Sequence, residues 1–161
     1  MKKIRMILPV VLLAAILGAI FFYTRPMTLS QLCLGVEVTE SKSVSGHCFA
    51  APGVESMPFE IEKSDPRFAQ IMDLFENREF RRSLVSLLPQ GTQTHPAQEG
   101  DFQWEVLFHI DGAKLPDGSV ISGTLIRVNN FFGTLEVHFQ DEVWRCSTAG
   151  KDKWLKEVME L

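Results

Sequence analysis

From Met6 to Tyr23 the chain runs eighteen residues without a charge, and this stretch limits what the rest can fold into. As a helix rising about 1.5 Å per residue it would extend roughly 27 Å, close to the hydrocarbon thickness of a bilayer. Lys2, Lys3 and Arg5 precede the run and only Arg25 follows it closely. Positive charge on that side keeps the N-terminus in the cytoplasm and sends the remainder across. Phe21, Phe22 and Tyr23 stand where such a helix would meet the far headgroups, and Arg25-Pro26 ends the helical stretch. The sequence therefore predicts a single-pass signal-anchor in residues 1–25. The membrane would be its partner through Met6 to Tyr23, with the C-terminal domain extracytoplasmic at the cell membrane.

A cleaved signal peptide is the competing reading. Thr28-Leu29-Ser30 supplies small residues at the spacing of a cleavage site, and cleavage after Ser30 would release a secreted effector starting at Gln31. A lipoprotein is disfavoured because Leu32, rather than a small residue, precedes Cys33.

Beyond the N-terminal segment, residues 26–56 read as a juxtamembrane, irregular region with weak strands, and residues 57–161 as an α+β domain. Setting aside Lys2, Lys3, Arg5 and Arg25 leaves twelve basic residues against twenty acidic, a net charge of −8. That sign argues against nucleic acid as a partner, since phosphate recognition needs clustered Lys and Arg. It also argues against tight docking on anionic lipid. Val36-Glu37-Val38-Thr39 and Phe59-Glu60-Ile61-Glu62 alternate and suggest short strands, with a polar loop over residues 40–46.

The clearest helix starts near Asp65. Ser64 or Asp65 caps it, Pro66 suits the first helical position, and Phe68, Ile71, Met72 and Phe75 form one apolar stripe. Phe80, Leu84, Leu87 and Leu88 resume helical spacing with a shifted stripe, so a kink or second helix is expected, with a strand over 80–88 left open. Residues 91–100 read as loop.

Four strands follow. Phe102, Trp104, Val106, Phe108 and Ile110 alternate with Gln103, Glu105, Leu107 and His109. Residues 119–128, 135–139 and 143–147 supply the rest, with a turn at Leu115-Pro116-Asp117-Gly118. Placing Phe139 opposite Trp144 and Val137 opposite Cys146 keeps apolar side chains inside and sets His138 opposite Arg145 outside. Trp154, Leu155 and Val158 suggest a closing helix. The expected architecture is a four-strand antiparallel meander with helices packed on one face. Burial of Phe68, Phe75, Trp104, Phe108, Phe139 and Trp144 would contribute about 2–3 kcal/mol each.

Candidate chemistry is sparse. Cys33, Cys48 and Cys146 form no Cys-x-x-Cys pair, and a disulfide between Cys33 and Cys48 is left open. His47-Cys48 could join a thiolate to an imidazole only in a loop, because adjacent strand residues face opposite ways. His109 and His138 share an outer face with Glu105 and Glu136, but an intervening strand would hold them apart. Arg78, Arg81 and Arg82 lie beside Glu76 and Glu79, so local ion pairing is the simplest expectation. Asp65, Asp73, Glu99 and Asp101 lack the spacing of paired catalytic carboxylates. The sequence thus predicts no catalytic, cofactor-binding or metal site.

The order of a short N-terminal membrane segment, the helix DPRFAQIMDLF, the segment FRRSL, and a sheet opened by GDFQWEVLF and closed by VWRC resembles small exported proteins of unknown function from Gram-positive bacteria. The resemblance spans most of residues 57–161 as a pattern of apolar spacing. It implies export and an α+β architecture. The functional expectation is a membrane-anchored, non-catalytic binding module with an envelope protein as partner. The alternatives are the secreted effector and a Cys/His or metal-dependent hydrolase.

Overall fold

A computed structural model describes residues 2–49, 57–87, 103–131 and 134–149. Helix α1 spans Lys2–Tyr23, followed by strand β1 (Pro26–Met27), helix α2 (Leu29–Leu32) and a 3-10 turn over Val38–Glu40. Strands β2 (Ser43–Phe49) and β3 (Met57–Glu62) precede helix α3 (Pro66–Glu76) and strand β4 (Phe80–Arg82). After a 3-10 turn over Leu84–Leu87 come β5 (Gln103–Ile110), the small pair β6 (Ala113–Lys114) and β7 (Val120–Ile121), then β8 (Thr124–Asn129), β9 (Leu135–Phe139) and β10 (Glu142–Thr148).

The expected four-strand meander is corrected to an eight-stranded sheet, in the order β1-β4-β10-β9-β8-β5-β2-β3. Every neighbouring pair in it is antiparallel. The four anticipated strands sit together at its middle, and the additions flank them. β2 was hidden because Ser43, Ser45 and Gly46 blunt its alternation, so it reads as a loop. β4 was hidden because Phe80 also fits a helical stripe that Leu84 and Leu87 continue. Residues 36–39 form no strand; Val36 and Val38 are both buried, but before and within a 3-10 turn rather than in the sheet. The loop over 91–100 and the closing helix near Trp154 lie outside the described residues.

The transmembrane expectation is also corrected. Helix α1 forms, but among the described residues no helix is long and apolar enough to cross a membrane. A span takes about 20 predominantly apolar residues. The 22-residue α1 begins with Lys2, Lys3 and Arg5 and carries Pro9, which leaves an uncharged part at the short end of spanning lengths. The single-pass signal-anchor reading of Met6 to Tyr23 is withdrawn on this ground.

One face of the sheet is covered. Trp104, Val106, Phe108 and Ile110 of β5, Ile126 and Val128 of β8, and Val137 and Phe139 of β9 are all buried. Above them lie Leu29, Leu32, Cys33, Val36 and Val38, together with Phe68, Ile71, Met72 and Phe75 of α3. Helix α3 starts as its sequence dictates: the Asp65 carboxylate accepts from the Arg67 backbone N–H at 2.9 Å and Pro66 takes the first turn. Asn77 closes it, with its backbone N–H bonded back to Asp73.

The β9–β10 register differs from expectation by two residues. Trp144 faces Val137 and Glu142 faces Phe139, joined through Gln140 and Asp141. A tight two-residue loop is the favoured hairpin connection when its first central residue takes positive φ, as Gln140 does at 54°. Because strand side chains repeat every second residue, this shift leaves the inner and outer sets unchanged. Trp144 is only half-buried.

Gly46 is the tightest point of the sheet. A Cβ added there would lie 2.2 Å from the Glu105 carbonyl oxygen and 2.5 Å from the Phe59 ring. The carbonyl belongs to the neighbouring strand and cannot yield without breaking the ladder. Gly46→Ala is expected to destabilise the protein by about 2–3 kcal/mol, read by urea unfolding. An unchanged midpoint would show that β2 and β5 are less closely joined than described.

Candidate functional site

The open side of the sheet carries the polar residues. Successive cross-strand partners place His47, Glu105, Asn129, Glu136 and Arg145 in one row across β2, β5, β8, β9 and β10. The next row holds Leu107, Arg127, His138 and Val143. Arg127 Nε lies 3.2 Å from Glu105 Oε1. Arg145 Nε donates to Glu136 Oε1 at 3.4 Å, and His138 Nε2 lies 3.1 Å from Glu136 Oε2. The same His138 nitrogen is 3.3 Å from Asn129 Nδ2. A single ring nitrogen cannot donate to Glu136 and accept from the Asn129 amide at once, so its proton decides which bond exists.

Arg145 is the most enclosed charge of the group, its side chain 12% exposed, and Nη1 has no hydrogen-bond partner among the described residues. Glu136 therefore supplies most of its compensation. A cleft of about 400 Å³ opens beside the row, lined by Ile121, Gly123, Leu125, Arg127, His138 and Gln140. The arrangement can hold a polar ligand or partner by ion pairs and hydrogen bonds.

His109 and His138 stand on separate strands, β5 and β9. β8 lies between β5 and β9 and sets the Arg127 guanidinium between the two histidine-bearing strands. His109 meets Ser45 Oγ at 2.8 Å instead. Among the described residues no three His, Cys, Asp or Glu side chains are placed to hold a metal. His47 and Cys48 are consecutive on β2 and so face opposite sides of the sheet, with Cys48 buried at the inner face. A Cys48 nucleophile activated by His47 is excluded by that geometry.

None of the three cysteines is in a disulfide, and all are buried. Burial, reinforced by the neighbouring Cys146 thiol, holds the Cys33 thiol well above its ordinary range. Burial likewise pushes Cys146 up to about 12, against the opposing pull of Arg82. Both are thiols rather than thiolates at neutral pH, and neither has nucleophilic character.

The three arginines of the FRR region part company. Arg78 donates to the Ala149 carbonyl at 2.6 Å, and Arg81 is exposed opposite Ser147. Arg82 turns inward, with Nη2 3.3 Å from Met27 Sδ and its guanidinium 5.5 Å from the Tyr23 ring and 5.9 Å from that of Trp144. The expected pairing with Glu76 and Glu79 is not what holds them. Asp65 is bound to Arg67 at 2.6 Å and Asp73 to Asn77, at the two ends of α3, while Glu99 and Asp101 lie outside the described residues. No family model, curated protein or solved structure matches this chain.

The other surface of note is α1. Leu8, Val10, Val11, Leu12, Leu13, Phe21 and Phe22 are all more than half exposed, up to 76% at Phe21. Sequence reasoning found this segment, but it missed the Glu136–Arg145 pair because its register set Arg145 opposite His138.

Glu136→Ala is expected to cost about 2 kcal/mol by leaving the Arg145 charge enclosed and uncompensated, with denaturant titration as the check. A change under about 0.5 kcal/mol would mean that solvent already serves Arg145. Thiol reagents at pH 8 should label none of the three cysteines in the native protein and all three after unfolding. The raised Cys146 value also sets a sign. Its protonated form is favoured by folding, so this contribution is complete below the ordinary 9.0 and is lost as pH rises toward about 12.

Proposed function

We propose that the protein is a non-catalytic binding module of the cell envelope that is held against lipid by α1 and offers the outer face of its sheet to a partner. The observation that carries this reading is the exposure of α1. A helix apolar on all sides is stable in water only when other apolar surface covers it. In α1 the apolar side chains point in every direction, and Leu8, Leu13 and Leu17 are each more than half exposed. Each such leucine costs about 1.5–3 kcal/mol when left in water rather than buried, so the helix strongly favours an apolar phase. Contact with lipid along α1 is what is proposed; a crossing is not part of it.

The binding role is supported by the open sheet face, where charged side chains sit in a fixed row beside a cleft. The hydrolase alternative loses support from the separation of His47 from Cys48 and from the protonated buried thiols. Flotation of the full chain with phosphatidylcholine vesicles tests the lipid contact. The wild-type chain is expected to rise with the vesicles. Leu13→Glu/Leu17→Glu, which changes side chains already exposed and leaves the domain core untouched, is expected to lower the floated fraction about ten-fold. Equal flotation of both chains, or none of either, would defeat the reading.

A further inference from the structure

The junction between α1 and the sheet places a second apolar surface at the same end of the molecule. β1 and β4 are antiparallel, with Met27 opposite Phe80 and Pro26 opposite Arg81. β4 therefore runs back toward the C-terminal end of α1, and Arg82 reaches the Tyr23 ring there. The chain leaves β4 at that end and forms the 3-10 turn over Leu84–Leu87.

This turn is firmly held. Ser83 N–H donates to the Arg145 carbonyl at 2.8 Å. The Ser86 hydroxyl accepts from Arg145 N–H at 2.8 Å and donates to the Arg145 carbonyl at 2.9 Å. The turn thus continues the pairing of β10 where β4 stops. It nevertheless turns its large side chains outward, with Leu84 44% and Leu87 66% exposed. Among the described residues the core is filled by α2, α3 and the sheet, and these two leucines take no part in it.

We infer that the Leu84–Leu87 turn is a second lipid contact, which rests the α1-proximal end of the domain on the bilayer surface. The inference builds on the reading that α1 lies in lipid, and continuity with α1 is its main support. A rigidly pinned turn presents its leucines with little further ordering cost, and insertion of such side chains to the headgroup–acyl boundary is how peripheral elements bind. Arg25 belongs to the same end; it is exposed and its guanidinium stacks 4.5 Å from the Phe22 ring, where a lipid phosphate is within reach. The acidic remainder of the chain directs the contact toward zwitterionic rather than anionic lipid.

A polarity-sensitive nitrobenzoxadiazole label on the full chain tests this. Leu87→Cys carries the label at the turn, and Glu79→Cys carries it at the opposite end of β4, where Phe80 pairs with Thr148. The native thiols are buried and leave the introduced one to react. With phosphatidylcholine vesicles, emission from position 87 is expected to shift to the blue. Headgroup-region spin-labelled lipid should quench it at least about three-fold more than emission from position 79. If the chain floats but position 87 stays as water-exposed as position 79, this inference fails while the α1 reading stands. Equal quenching at both positions also overturns it. If the chain does not float, the α1 reading fails and takes this inference with it.

Discussion

The inner side of the sheet is organised by the contact between Phe75 of α3 and Phe108 of β5, whose rings meet edge to face at 4.9 Å between centroids. β5 is the strand best placed to anchor such a contact. It is paired on both sides, by β2 and β8, and its inner side chains from Trp104 to Ile110 are almost wholly buried. An edge-to-face pair contributes about 0.5–1.5 kcal/mol beyond the area it buries. Its larger effect is geometric. With Phe75 fixed over β5, the stripe of Phe68, Ile71 and Met72 must lie on the same face, and the segment carrying Leu29, Leu32, Val36 and Val38 fills the space that remains. The open face is then left to polar residues by alternation alone.

Much of this was legible because strong local signals agreed with the tertiary outcome. The Asp65 cap, Pro66 and the Phe68–Phe75 spacing each specify α3, and nothing in the fold opposes them. The alternation from Trp104 to Ile110 specifies β5 in the same way. Of the flanking strands, β3 showed in the alternation of Phe59-Glu60-Ile61-Glu62, whereas β2 and β4 were not legible. β2 places Gly46 at an inner position because Phe59 and the Glu105 carbonyl leave no room for a side chain, and a glycine there removes the apolar signal that would reveal the strand. β4 has only three residues, too few for a period to show, and its strand state comes from β10 and β1 on either side. The β9–β10 register was misplaced because facing apolar residues were matched without regard to the loop, whereas the tight Gln140–Asp141 connection decided it.

The candidate site shows the same division. That His109 and His138 stand on separate strands followed from the meander order, and the structure sets Arg127 between those strands. That Arg145 depends on Glu136 did not follow, since a two-residue shift preserves faces but changes every partner. The row on the outer face is nearly neutral, with Glu105 set against Arg127 and Glu136 against Arg145. Such a surface does not attract a partner by long-range charge. A partner of the kind proposed for it would have to replace ion pairs already formed, which favours recognition by fit over recognition by net charge.

The coupling between α1 and the sheet turns on Arg82. A guanidinium beside Met27 Sδ and near the rings of Tyr23 and Trp144, with Nε lacking a hydrogen-bond partner among the described residues, is poorly hydrated and is held mainly by polarisable neighbours. Cation–π contacts contribute about 0.5–2 kcal/mol each, and more as water is excluded. Swinging α1 away from this end would remove Tyr23 from Arg82 and leave the charge with fewer neighbours. An apolar medium around α1 would strengthen those contacts by excluding water from the Arg82 cluster. The phase that covers the helix would thereby also stiffen its attachment to the domain, and a surface fixed to that end, such as the turn bearing Leu84 and Leu87, would be carried to the same boundary.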